Sequence, residues 1–167
     1  MEIPVDVVEP VAGLPREIAL MVASLEDVRS QTVALIADMS RAELEQRFVP
    51  DAHQIGGLAL HLGENEFWWI EAIFAHKEIT AEDRRFAHLD NTTEEDFALK
   101  GYTADDCIAF LARIHERVVA TLAGYTYADL DEIITVGDDP LRFRGSLRWI
   151  LHHIIDHEAH HKGRSRC

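Results

Sequence analysis

Four times along the chain, inward-type residues recur at alternating steps of three and four. From Arg16 to Met39 the positions are Met21, Leu25, Val28, Thr32, Leu35 and Met39. From Asp51 to His76 they are Leu58, His61, Asn65, Trp68, Ala72 and Ala75. From Thr103 to Ala123 they are Ile108, Leu111, His115, Val118 and Leu122, and from Ser146 to Gly163 they are Leu147, Ile150, Ile154, His157 and His161. Such steps keep side chains on one face of a helix with 3.6 residues per turn. Four long helices, each with one face to bury, predict an all-α protein built as a four-helix bundle.

Local signals set the boundaries. Ser40 with Glu43 forms a capping-box pattern that opens a short helix ending near Arg47, and Pro50 breaks it. Asp51 with Gln54 gives a cap pattern for the second long helix, and Thr103 with Asp106 gives one for the third, which Gly124 ends. Gly56 and Gly57 weaken the start of the second helix and would permit close approach of a neighbour. Residues 77–102 are charged and weakly periodic, so they read as a long connection with one short helical turn after Thr93. Residues 125–144, punctuated by Gly137 and Pro140, form a second long connection. Its run Ile133 to Val136 has strand character but no convincing partner nearby. Long connections between helices two and three and between three and four leave the topology open beyond a simple up-and-down order. Residues 1–14, rich in proline, read as an extended lead-in, and residues 15–167 as one domain.

Composition narrows the function. Hydrophobic residues make up 47% of 167, enough for a core. Thirty acids against sixteen bases give a formal charge of -14, which repels phosphate backbones and anionic membranes, so no nucleic-acid or membrane partner is expected. No stretch approaches the roughly 20 apolar residues that span a bilayer. The opening MEIPVDVVEP lacks the basic and apolar regions of a signal peptide. Cys107 and Cys167 make no disulfide framework, and a reducing cytoplasm is the expected location. Cys107 reads as a buried small apolar residue and Cys167 as an exposed terminal thiol, neither with a catalytic role.

The ten histidines are the unusual feature, and five lie between Leu151 and His161. His157 and His161 continue the apolar stripe of their helix, so they are expected to point into the bundle. Four apart, they stand one turn above each other, a spacing that suits two nitrogens on one divalent cation at roughly 2.0–2.1 Å each. His61, on the inward stripe of the second helix, supplies a third imidazole. Three neutral rings would make a site with coordination positions left for water or substrate. The plainer alternative is that an inward histidine hydrogen-bonds a core carbonyl or carboxylate. Two stacked histidines would then each need such a partner. His152 and His160 fall off the stripe and read as solvated, whereas His153 borders it as a partner to a ligand ring or an alternative ligand.

His157-Glu158-Ala159-His160-His161 also matches the H-E-x-x-H pattern of zinc proteases. Those proteases take their third ligand downstream. Here Gly163, Arg164, Ser165 and Arg166 offer none before Cys167, and no sheet is expected that would accept a peptide strand. The protease reading is therefore rejected.

With HLGENEFWWIEAIF from His61 to Phe74 and LHHIIDHEAHHKG from Leu151 to Gly163, the chain from about Arg16 onward resembles the DinB/YfiT-like metalloenzymes. That resemblance implies a four-helix bundle holding a divalent metal, commonly zinc or nickel, on three histidines. Carried over by position, these are His61, His157 and His161. It also implies a homodimer and, from characterised relatives, a thiol-dependent transferase or isomerase acting on a small electrophile with a low-molecular-weight thiol. The family usually continues H-H-R-G-Q, whereas this chain reads His160-His161-Lys162-Gly163-Arg164. A lost last turn would loosen the ligand-bearing helix or alter a dimer surface.

Candidate catalytic residues are Glu64, one turn after His61, and Glu158, beside His157. Asp156 flanks His157 on its other side. Each is placed to orient a ligand ring or carry a proton, with a solvated position as the plainer reading of Glu158. Trp68 and Trp69 either wall the pocket or belong to the core. Two alternatives to an enzyme stand beside this reading. One is a non-catalytic metal- or small-ligand-binding bundle, and the other a metal-free acidic scaffold.

Overall fold

The structure is a computed structural model that describes residues 7–47, 53–89, 101–137 and 143–164. Four long helices carry the fold. They are α1 (Arg16–Ile36), α3 (Ile55–Phe67, continued by a π-helical segment Trp68–Phe74), α5 (Ala104–Leu122) and α6 (Leu147–Arg164). Two short helices, α2 (Arg41–Leu44) and α4 (Ala81–Ala87), lie between them. A 3-10 turn, Ala128–Asp131, precedes the strands β1 (Ile133–Val136) and β2 (Phe143–Ser146). The long helices form a ring of neighbours in the order α1, α6, α3, α5. Helices α1 and α3, consecutive among the four, therefore sit on a diagonal. No helix of the described residues is long and apolar enough to cross a membrane.

The capping boxes at Ser40/Glu43 and Thr103/Asp106 are present, each with the side-chain hydroxyl accepting from the N3 backbone and the N3 carboxylate accepting from the cap backbone. A third box, Thr80 with Asp83, opens α4 inside the connection expected to be irregular until Thr93. Asp51 and the turn expected after Thr93 lie outside the described residues. Gln54 occupies the N-cap of α3 without a side-chain cap bond.

Three expectations are corrected. First, Ile133–Val136 does find a partner: β1 pairs antiparallel with β2, Ile133 opposite Ser146 and Val136 opposite Phe143. The strand signal in Phe143–Ser146 was masked by Arg144 and Gly145. Second, the buried face of α1 runs Ile18, Val22, Leu25, Arg29, Thr32 and Ile36, while Met21, Val28 and Leu35 are only half-buried. Both phases have the same period, and the true one was hidden because it carries an arginine. The helix also stops at Ile36, short of Met39. Third, the stripe of the second helix holds only to Asn65. A π turn spans more residues than an α turn, so beyond Phe67 the inward positions become Ile70, Glu71, Ile73 and Phe74. Trp68, expected inward, is 42% exposed.

The core packs tightest between α3 and α5. A Cβ on Gly63 would lie 2.6 Å from Cε1 of the fully buried Phe110 ring, so only glycine allows this approach. That contact sits between His61 and Glu64 and fixes the height of both along α5.

Candidate metal centre

Helix α6 has two distinct rows. Leu147, Ile150, Ile154 and Glu158 are 0–2% exposed and face the core. Trp149, His153, His157 and His161 follow a strict four-residue step beside them and are half-open. The histidine pair thus belongs to the second row, half-buried, a correction to its expected place on the same stripe as Leu147, Ile150 and Ile154. His61 on α3 is likewise half-buried and faces the pair.

Its Nε2 lies 3.3 Å from Nε2 of His157, which lies 3.2 Å from Nε2 of His161. One potential ligand atom from each ring falls within 4.8 Å of the others, and among the described residues this is a group able to hold a metal ion. Nitrogens held about 2.0–2.1 Å from a shared tetrahedral cation lie roughly 3.3–3.4 Å apart. The two short separations match that edge. The rings meet edge-on, with His61 tilted 62° to His157 and 85° to His161, so their lone pairs converge rather than their faces. Burial, then the neighbouring His161 and His61 rings, hold His157 down to about 3, which keeps it neutral and able to donate its lone pair. The donor set fits a divalent cation, and Lys162, bonded through Nζ to Gln31 Oε1 at 2.8 Å, ties the end of α6 to α1 beyond the histidines.

The two candidate carboxylates occupy different surroundings. Glu64 is 5% exposed, with Oε2 3.6 Å from Nδ1 of His61 and Oε1 lacking a hydrogen-bond partner. Glu158 is 1% exposed, which overturns the solvated reading. Both of its oxygens accept from Nε of Arg29, at 2.6 and 2.8 Å. Asp156 and His160 are exposed, and so is His152, as expected for the last two.

Sequence reasoning missed Arg29 and what it organises. Its Nη2 also donates to Glu66 at 2.9 Å, Glu66 bonds Nδ1 of His115 at 2.8 Å, and His115 Nε2 meets Glu26 at 3.1 Å. Arg29, Glu66, His115 and Glu158 join all four long helices. Burial works against charge on Glu66, but Arg29 and His115 outweigh it and hold its carboxyl below the usual range. Burial likewise opposes the charged His115, but Glu66 and Glu26 raise its pKa. For Arg29, the two buried carboxylates outweigh burial and keep the guanidinium charged. A usable signal existed: Glu66 and Glu158 both fall on core phases of their helices, and two buried acids call for a buried base.

The profile of a family described as mycothiol-S-transferase matches residues 20–167. The chain belongs to the mycothiol S-transferase family. This is a DinB-like family, in agreement with the resemblance read from the histidine helix. Among solved structures, a conserved protein from Enterococcus faecalis is similar, with 15% identity, a TM-score of 0.60, and coverage of 88% of this chain and 91% of that one. At that identity the likeness shows the fold alone. Among curated proteins, none matches. Family membership directs attention to thiols, and the chain's own described thiol is not one of the reactive kind. Cys107 is fully buried on α5, and burial, then Asp106, pushes its pKa up to about 11.

Proposed function

We propose that this chain is a divalent-metal-dependent S-transferase that joins a low-molecular-weight thiol to a small electrophile. The observation that carries the reading is the meeting of three imidazoles, one nitrogen from each within 4.8 Å of the others, at the half-open side of the bundle. His61, His157 and His161 would hold a zinc or nickel ion, which would supply the Lewis acidity that makes a thiol a nucleophile near neutral pH. Glu64 faces the outer nitrogen of His61 and draws a proton to it, so that Nε2 presents its lone pair. Glu158, clamped by Arg29, fixes the rotation of α6 beside His157. Both acids act through the histidines and are positioning residues in this reading. With an epoxide, an S–C bond forms as a C–O bond opens. The thiol proton leaves to solvent through the open side and one proton returns to the alkoxide. A homodimer and a cytoplasmic location complete the proposal.

The test is turnover by zinc- or nickel-loaded chain with mycothiol, cysteine or glutathione and a chromogenic epoxide. His61→Ala is expected to abolish turnover while lowering the melting temperature only modestly. A collapse of the fold in that variant would assign the metal a structural role. Activity on water with every thiol inert would reject the transferase.

A further inference from the structure

We propose that Trp149, His153, Trp69 and Phe143 form a binding site for a neutral, planar, apolar group beside the histidine triad. Resting on the transferase reading above, this is the site of the electrophile. The half-open row of α6 does not end at the histidine pair. It continues upstream through His153 to Trp149, two further four-residue steps, about 12 Å along the axis from His157. The rings are ordered against one another. Trp149 and His153 stack nearly parallel, 4° apart with centroids 4.9 Å apart. Trp69 meets Phe143, Trp149 and His153 edge-on at 4.9, 5.7 and 5.1 Å. His153 then lies 5.7 Å from the His157 ring, so the aromatic row runs into the candidate ligands without a break.

Three elements converge to build this row: the π-helical segment brings Trp69, β2 brings Phe143, and α6 brings the rest. Gly145 permits it, because a Cβ there would fall 2.5 Å from Cζ of Phe143, whose ring folds back along the strand. Trp69 and Phe143 pack against the edge of the core, but the core row of α6 is closed without Trp149, which remains 45% exposed. An indole left partly to water at the far end of a ring row that leads to the histidine triad is a ready stacking surface. Its electron-rich face favours an electron-poor planar partner. The chain's formal charge of -14 disfavours an anionic one.

The probe is 6-propionyl-2-dimethylaminonaphthalene, a neutral planar fluorophore, titrated into the zinc-loaded full chain. Saturable one-to-one binding is expected. Trp149→Ala should weaken it about fivefold or more, Trp149→Phe should retain most of it, and Trp68→Ala, outside the ring cluster, should leave it unchanged. Zinc affinity measured with a competing chromophoric chelator should be the same in all three variants, which certifies the fold and the triad. Equal binding by Trp149→Ala and the parent chain, equal weakening by Trp68→Ala, or no saturable binding would overturn the site. Thiol turnover reads separately. A chain that binds the probe in this pattern but transfers no thiol keeps the planar-group site and loses the transferase. A chain that transfers thiol yet ignores Trp149 keeps the transferase and loses the site.

Discussion

Arg29→Met is the substitution that most directly probes how the bundle holds α6. Methionine preserves most of the buried stem and removes the guanidinium. Glu158 then loses both of its bonds, at 2.6 and 2.8 Å, and Glu66 loses the one at 2.9 Å while keeping His115 at 2.8 Å. The two carboxylates are 1% and 0% exposed, so water cannot replace the lost donor without opening the core. Removing one partner of a buried ion pair costs about 3–5 kcal/mol. His115 still serves Glu66, which keeps the expected loss within that range rather than above it. For a domain of this size each kcal/mol moves the melting midpoint by about 2–4 °C, so a drop of roughly 6–20 °C is expected at neutral pH.

The pH dependence gives the sign. Glu66 has a folded pKa held below its unfolded value, so its contribution is present above the unfolded carboxyl value and is lost as pH falls through the folded one. The gap between parent and variant should therefore be widest near neutrality and narrow as Glu66 protonates. Thermal melts followed by circular dichroism near pH 7 and near about pH 3, below the ordinary carboxyl range, test this, with Arg148→Met as control. Arg148 pairs at the surface with Asp131 and Glu17, and its loss should leave the midpoint nearly unchanged. A loss under about 1 kcal/mol for Arg29→Met, or a gap indifferent to pH, would refute the idea that buried charge pairing locks α6 in place.

Two further outcomes test the frame around the site. Gly63→Ala gains about 1 kcal/mol of helix propensity but presses a methyl into the buried Phe110 ring, at about 1–3 kcal/mol, so a net loss near 1 kcal/mol is expected in urea denaturation. A stabilised variant would mean that α3 and α5 can part. His115 has a raised folded pKa, so its contribution is full below the unfolded value and fades as pH climbs through the folded one. The stability advantage of the parent over His115→Gln, measured by thermal melts, should be larger near about pH 6 than near about pH 9, whereas the opposite trend would place a neutral ring in the network.

How much of this was readable in advance follows from what each signal rests on. The number of long helices and two of the three capping boxes were legible, because period and cap chemistry are local. So was the family, because the spacing of His157 and His161 and the distance back to His61 are set along the chain. The phase of a stripe is not local. In α1 the apolar residues support two adjacent phases, and only the acids on α3 and α6, at Glu66 and Glu158, decide for the one containing Arg29. The π turn was equally invisible, since Trp68 to Phe74 reads as a good α-helix until the i−5 bond from Ala75 to Ile70, at 2.9 Å, rotates the face. The β1–β2 pairing was missed for the same reason, because neither short run identifies its partner alone.

The two rows of α6 explain why a helix with so many polar residues is a stable part of the bundle. On the core row, Leu147, Ile150 and Ile154 bury apolar surface and Glu158 closes the row with a charge that Arg29 answers. That row carries the buried seat of the helix, with Arg148 and Lys162 adding polar ties to α1 at its two ends. The neighbouring row is then released from packing duty and carries Trp149, His153, His157 and His161 at a spacing that core packing does not demand. Had the histidines lain on the core row, each would have required a buried partner, and a cation would have reached them only through an opened bundle. Displacing them by one helical position, from the phase of Glu158 to that of His157, places their lone pairs at the edge of the core. There, low dielectric would strengthen a metal bond while one side of the rings stays open. It follows that substitutions on the core row, such as Ile154→Ala, should unfold the bundle without a specific effect on metal binding. Substitutions on the outer row, such as His161→Ala, should remove metal binding with the fold retained. Any variant set in which the two rows fail to separate in this way would mean that the histidines are structural after all.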